Sequence, residues 1–509
     1  MPLPAREAED FFDKEYRNYA KYTIENRAIP SLVDGFKPAQ RKIAYAANKL
    51  WKTGNEKPMK VFQLGGQAAA ISFFHHGSLD GTIIGMTQDF KNSMPIFQGV
   101  GQFGSLRSPE AGAPRYVGVK FNDNFRLLYK DFELLAPQFE DGEEIEPKFF
   151  LPIVPTVLLN GGSGIAVGFS TNILNRHPLD LIDATIDVLK TGSTKQELKP
   201  WLRGFFGEVK PAPNSNGKSW IFSGSCTVKN ALQVEITEIP PGFTYEKYEQ
   251  HLESLVEKGF LQGYEDNSSD RIHYLVKFHK QKLAELLSED KLEQTLKMQE
   301  SATENITTLD ENGKLRVFAT ATELLTHFVG VRLGYYVKRK EHMLRALVSD
   351  IEVLEDKVRF LKAVVEGALE VGNRTKATLV QAIQELGLRL VDGSFDYLLS
   401  MPIYSLTAEK YADLQTKLQD KLQEKQRVEG TTPEEMYLQD LHDLRKKLSP
   451  KAAPAKGAQN STAPQSILVQ GWLGEGSQGK AENSLSFLEA LASEIRSGSN
   501  RKGSRKLGS

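Results

Sequence analysis

Short apolar periods separated by turn residues mark the first 90 residues as a set of small helices. Glu9 to Glu25 reads as one helix, Ile29-Pro30 breaks it, and Lys37-Pro38 starts another that runs through Arg41, Ile43 and Ala47. Val61 to Phe74 predicts a further helix, small and apolar along Leu64, Ala68 and Ile71 and closed by His75-His76-Gly77. The layout is helix-turn-helix-like. From Gln98 the chain turns glycine-rich (Gly99, Gly101, Gly104, Gly112) ahead of an alternating stretch, Tyr116 to Phe121, that predicts a strand; a side chain on such a loop would be exposed. Leu151 to Phe169 is rich in β-branched and small residues and is interrupted by Asn160-Gly161-Gly162-Ser163-Gly164, which predicts a hairpin.

Residues 190 to 318 mix strands (Leu232 to Ile239, Ile272 to Phe278, Leu315 to Phe318) with helices such as Tyr245 to Lys258, the pattern of a separate α+β domain. The rhythm then lengthens. Leu344, Leu347, Ile351, Leu354, Val358, Leu361 and Val365 lie alternately three and four apart, a coiled-coil spacing. A returning helix carries Tyr411, Leu414, Leu418 and Leu422, and a fresh start at Thr432, with Pro433 first and Glu435 closing the box, leads to Met436, Leu441, Leu444 and Leu448. Between the two arms, Gly367 to Tyr404 predicts a helical knob whose Tyr397, Leu398, Leu399, Met401, Ile403 and Tyr404 exceed what a thin arm can bury, so self-association is expected. Ser449 to Ser509 is rich in Ser, Gly, Ala, Lys and Pro and predicts disorder; Leu485, Leu488, Leu491 and Ile495 line one face of a brief helix, read as a marginal local helix ahead of the alternative, a docking motif.

With 509 residues, several domains or one elongated assembly are expected. No apolar run approaches the roughly 20 residues that span a bilayer, and Met1 to Phe12 is acidic where a secretory signal would be basic, so a cytoplasmic protein is expected. The single cysteine, Cys226, can form neither an internal disulfide nor a multi-thiolate metal site and is read as a small core residue. A net charge of -1 hides segregation: Arg27 to Lys60 holds eight basic residues against two acidic ones, whereas Asp131 to Glu146 is strongly acidic. A basic face near the N-terminus suits phosphates.

Several stretches resemble one family. Arg27-Ala28-Ile29-Pro30 and Val33 to Lys42 are similar to the opening of the breakage-reunion domain of type IIA DNA topoisomerases, and Phe74-His75-His76-Gly77 to that family's Tyr-His-His-Gly helix end. Gly101-Gln102-Phe103-Gly104 leading to Ala113-Pro114-Arg115-Tyr116 resembles the approach to the family's catalytic Arg-Tyr pair, and Leu151 to Ile165 the segment whose isoleucine wedges into DNA. Val331 to Tyr336, Met401-Pro402 and Ser405 to Thr407 resemble the arm and exit gate; together the matches cover residues 5 to 448 in family order. Phe74 and Ser78 depart from the family's Tyr and Glu. The sequence has no Asp-x-Asp, so the acidic TOPRIM centre is expected from a partner chain. This division is most similar to the T-even-type bacteriophage enzymes, whose cleavage chain is a separate medium subunit. The alternatives are an inactive DNA-binding scaffold and the A chain of a bacterial gyrase or topoisomerase IV.

The resemblance implies a multidomain α+β fold: a winged-helix breakage-reunion domain over residues 1–185, an α+β tower over 186–318, antiparallel coiled-coil arms over 319–448 with a dimerisation gate at about 366–405, and the tail 449–509. It implies that Tyr116 is the nucleophile of an ATP-dependent type II enzyme acting on double-stranded DNA, with Arg115 stabilising charge on the phosphate. Ionising an ordinary tyrosine at pH 7 costs about 4 kcal/mol, so cationic help is expected. Lys37, Arg41 and Lys42, with Arg27, are phosphate-clamp candidates; His76, and less directly His75, are placed beside the break; Ile165 is expected between base steps. Mg2+ ions should align the scissile phosphate on ligands from a large partner subunit that also binds ATP, and no metal ligands are expected in this chain. The chain is expected to pair with itself through the gate within a hetero-oligomer.

Overall fold

The computed structural model describes residues 11–51, 57–74, 77–372, 375–402 and 407–449. His75, His76, Ile403, Tyr404, the short leucine motif from Leu485 to Ile495 and almost all of 449–509 lie outside the described residues. Among those described, no helix is long and apolar enough to cross a membrane.

Helical turns run from Phe11 to Ala28 and stop where Ile29 becomes extended ahead of Pro30. Helix α1 (Pro38–Leu50) begins on a proline, whose missing N–H is no loss in a first turn, and the Gln40 side chain accepts from the Lys37 N–H at 2.9 Å. It packs against α2 (Val61–Ile71) and α3 (Asp80–Thr87) over a small antiparallel sheet whose order is β1 (Met59–Lys60), β3 (Gly118–Phe121), β2 (Phe97–Val100). Ile43 and Ala47, Leu64 and Ala68, Ile83, Phe97 and Val119 close one core with Phe125, Tyr129 and Phe150, and α4 (Pro178–Thr191) completes it.

Two local expectations change. The strand predicted from Tyr116 starts only at Gly118, because Pro114 to Tyr116 form a turn. The predicted hairpin at Asn160–Gly164 is displaced: Pro155 starts a short buried helix, Thr156–Asn160, and Gly162–Ile165 is itself a strand that turns through 166–169 to pair with Ser170–Ile173. An apolar run flanked by proline satisfies helix and strand alike, and burial of Val157, Leu158 and Leu159 decides for the helix.

A second core gathers around the four-stranded sheet Ser225–Val228, Gln233–Glu238, Tyr274–Phe278, Leu261–Asp266. Val234, Ile236, Tyr274 and Val276 face Tyr248 and Leu252 of α5 (Tyr245–Glu257), whose first turn is capped by the Thr244 hydroxyl. Cys226 lies half-buried against this core, and burial pushes its thiol pKa up. The chain returns to the first core earlier than 318, since Ile306 and Phe318 of the hairpin Ile306–Leu309 and Leu315–Phe318 pack there.

Helix α6 (Ala321–Val365) is 45 residues long and runs antiparallel to α7 (Ala408–Gly430), with Lys340 Nζ on the Glu429 carbonyl at 2.8 Å and Lys421 beside Asp350 at 3.3 Å. Their seam buries Leu347, Ile351, Leu414 and Val428 and leaves Leu422 and Val365 exposed, as two unassisted helices must. The knob has a core of its own in Phe360, Leu379, Ile383, Phe395 and Leu398, so Leu398 is internal and does not belong to an outer apolar face. Helix α8 (Pro433–Leu448) starts with the reciprocal cap expected at Thr432 and Glu435, at 3.2 and 2.8 Å.

The base of the arm is set into the first core by one charged cluster. Asp131 receives Arg332 at 2.6 Å and also Arg339; Arg332 continues to the Pro152 carbonyl at 3.0 Å and Arg339 to Asp440 at 2.7 Å. Both guanidinium groups lie over Tyr336, 4.4 and 4.2 Å from its ring centre, and Tyr336 stacks on Tyr437 at 4.4 Å. Asp131 has φ of 58°, a conformation asparagine tolerates, so Asp131→Asn isolates the charge. It should leave the buried Arg332 without its carboxylate, while Arg339 keeps Asp440, and destabilise the core by about 3–5 kcal/mol, read as a lower urea midpoint. An unchanged midpoint would show that the cluster does not hold the arm.

Candidate active site

Tyr116 is the most chemically available aromatic of the loop, with 69% of its surface exposed. Its backbone, by contrast, is held on every side. The Tyr116 N–H donates to the Ala113 carbonyl at 2.8 Å, the first amides of α2, Val61 and Phe62, donate to the Val117 and Pro114 carbonyls at 3.1 and 3.4 Å, and Lys60 Nζ reaches the Tyr116 carbonyl at 2.6 Å. Arg115 is exposed beside it, with its guanidinium carbon 5.2 Å from the phenol ring centre. The approach loop is stitched by Gln88, whose side-chain amide donates to the Phe103 and Pro109 carbonyls at 2.8 and 3.0 Å. Gly104 allows this closure: its φ is +82°, and a Cβ there would lie 2.8 Å from the Pro109 backbone.

A second group surrounds Lys37 and Ile165. Lys37 Nζ donates to the Ser163 carbonyl at 2.6 Å, which ties the start of α1 to the strand that ends in Ile165. Burial lowers the Lys37 pKa. Gly164 permits the fit, because a Cβ would fall 2.1 Å from the Ala28 carbonyl oxygen. Ile165 itself is 90% exposed, and Arg27 lies exposed in the preceding helical turn. Helix α2 links the Tyr116 turn to α1, at whose start Lys37 lies. It begins at the Tyr116 turn, and the Ser72 carbonyl beyond its far end receives Lys42 Nζ at 2.6 Å; its eleven residues span about 16 Å.

Two of the phosphate-clamp candidates are already engaged. Arg41 is buried, with Nε and Nη2 on the Asp34 carboxylate at 2.7 and 3.0 Å and Nη2 also on the Phe36 carbonyl. Asp34 is fully buried and accepts further from the Phe36 and Phe150 amides at 3.0 and 3.1 Å. Lys42 is paired with Glu146 at 2.8 Å. Arg41 is therefore a structural residue, and Lys42 is neutralised by the acidic segment that follows Asp131. His75 and His76 lie outside the described residues. The sequence pattern did not mark Lys60 or Gln88 as site residues; Lys60 carried a signal as the last cation before a helix, whereas Gln88 carried none. Among the described residues no three His, Cys, Asp or Glu side chains form a metal-holding group.

The family model for the A subunits of DNA gyrase/topoisomerase IV matches residues 27–444. The chain belongs to this family. It is 31% identical over 451 residues to the DNA topoisomerase medium subunit of Enterobacteria phage T4, covering 87% of this chain and 100% of that one. It is 31% identical over 457 residues to the mitochondrial DNA topoisomerase 2 of Dictyostelium discoideum, covering 86% of this chain and 35% of that protein. The chain thus spans about a third of the length of such eukaryotic relatives, 35% in this case. The crystal structure of the Plasmodium falciparum topoisomerase II DNA-binding, cleavage and re-ligation domain superposes with a TM-score of 0.74 at 32% identity, covering 86% of this chain and 64% of that one.

The contrast between buried and free arginines is testable. Arg41→Ala leaves Asp34 buried without its cation and should cost about 3–5 kcal/mol of stability in urea denaturation. Arg115→Ala, at an exposed position, should stay within about 0.5 kcal/mol of the parent. Equal stability of the two variants would refute the structural assignment of Arg41.

Proposed function

We propose that this chain is the DNA-cleaving and religating subunit of an ATP-dependent type II topoisomerase. The observation that carries the reading is an exposed phenol on an immobilised turn with a guanidinium beside it, within a chain of this family. Tyr116 Oη attacks a backbone phosphorus, the 3'-oxygen leaves, and a 5'-phosphotyrosyl ester holds the end. One ester replaces another, so the break keeps the energy needed to reseal it. Arg115 sits where charge on the phosphorane develops, and its permanent charge suits that role.

Lys37 and Arg27 bind backbone phosphate in this reading, and Ile165 wedges between base steps to bend the duplex. His76, with His75, is proposed beside the scissile phosphate on the strength of the family resemblance. The α1 to α3 helices with the small sheet act as a winged helix, the second body as the tower, and α6 with α7 as coiled-coil arms whose knob pairs two copies. The described residues do not supply a ligand set for the magnesium ions of such an enzyme, so no step is routed through them. A large partner subunit is proposed to bring those carboxylates and the ATP site. The host cytoplasm is the proposed setting.

Mixing the chain with that partner, magnesium and plasmid DNA, then quenching with detergent, should trap a denaturation-resistant protein-DNA adduct. Tyr116→Phe should reduce the adduct below detection while leaving duplex binding within about twofold, since one hydroxyl is a small part of a contact made mainly to phosphates. Adduct at the parental level in the Phe variant would remove Tyr116 from the mechanism.

A further inference from the structure

We propose that Arg107 is a positioning residue for cleavage, fastening the loop that carries Tyr116 to the second α+β body so that the phenol is aimed from outside its own core; this rests on the assignment of Tyr116 as nucleophile. Ser105 to Ser108 form a tight turn, with the Ser105 N–H on the Ser108 carbonyl at 2.8 Å and the Ser108 N–H on the Ser105 carbonyl at 3.2 Å. The two residues at its tip leave the first core altogether. Leu106 packs against the cluster of Phe205, Trp220 and Phe222, and Arg107 reaches the end of the strand Gln233–Glu238.

Arg107 is buried there, and both terminal nitrogens of its guanidinium are engaged. Nη1 donates to the Pro240 and Phe243 carbonyls at 2.7 and 2.9 Å, while Nη2 donates to Glu238 Oε1 at 2.6 Å and to the Ile239 carbonyl. Its own carbonyl accepts from the Tyr245 N–H at 3.1 Å, at the first residue of α5. Glu238 is buried as well, and its second oxygen accepts from the Phe206 N–H at 3.0 Å. On the other side the loop is closed by the Gly112 N–H on the Gln102 carbonyl at 2.9 Å and by the two Gln88 bonds, and Ala113 to Tyr116 follow at once. The loop is therefore a short strut between two bodies, and Tyr116 is mounted at its exit.

In-line attack tolerates little displacement: an error of about 1 Å in a reacting group can cost on the order of 100-fold in rate. Freeing the strut should therefore slow cleavage without removing the phosphate contacts that bind DNA. The test is single-turnover adduct formation by the complex of this chain with its co-purified partner subunit, using magnesium and an end-labelled short duplex at saturating concentration. Arg107→Ala should lower the rate at least about tenfold with half-saturation by duplex within about twofold, and Arg107→Lys, which keeps one or two of the carbonyl bonds, should recover part of the rate. Glu238→Gln, which keeps the side-chain shape, serves as the second variant and should also slow the step. Parental rates in Arg107→Ala or in Glu238→Gln, with Tyr116→Phe inactive, would overturn the positioning role alone. Loss of duplex binding in parallel with rate would also overturn it, as a structural role. An active Tyr116→Phe would instead overturn the underlying assignment of the nucleophile.

Discussion

The constraint on which this structure turns is that a reactive phenol must be open to a duplex and yet not wander. The Tyr116 ring is exposed, so its aim is set by the backbone, through bonds from Val61, Phe62 and Lys60 on one side and the Ala113 turn on the other. Those bonds are useful only if α2 is itself immovable. Leu64 and Ala68, buried against α1 and α3, make it so. A run of small residues that looks unremarkable as a helix thus becomes the mount for the site, because small side chains allow close packing while its N-terminal amides remain free to hold the neighbouring turn.

Charge is divided between holding the fold and facing outward. Among the described residues four arginines are buried in paired geometry: Arg41 with the nearby Asp34, and, joining segments more than a hundred residues apart, Arg107 with Glu238, Arg176 with Glu304, and Arg332 with Asp131. The planar fork of arginine suits this use, since it can satisfy a carboxylate and nearby carbonyls together. Arg115 and Arg27 remain exposed, and Lys37 bridges both roles by gripping the strand that carries Ile165. The basic stretch of the N-terminal region is consequently less a uniform phosphate face than a few free cations on a scaffold of internal pairs.

Local signals were legible wherever one segment decides its own conformation. Lys37-Pro38 and Thr432-Pro433 with Glu435 mark their helix starts, the period-two burial of Gln233–Glu238 marks a strand, and the glycines before Tyr116 mark an exposed loop. What escaped depends on partners far along the chain. Nothing near Arg41 tells that Asp34 is sealed from water by Phe150 and Thr156, and nothing near Arg107 points to carbonyls more than a hundred residues away. The helix at Thr156–Asn160 escaped for a related reason: its residues suit either conformation, and only the surrounding core chooses.

The most direct measurement is to identify the residue that carries DNA after cleavage. Trypsin cuts after Arg115 and Lys120, so the adduct, digested with nuclease and trypsin, should yield the peptide Tyr116 to Lys120 with a nucleotide remnant on its tyrosine in the mass spectrum, joined or not to its neighbour by a missed cut. A remnant found on any other residue, with Tyr116 unmodified, would contradict the account.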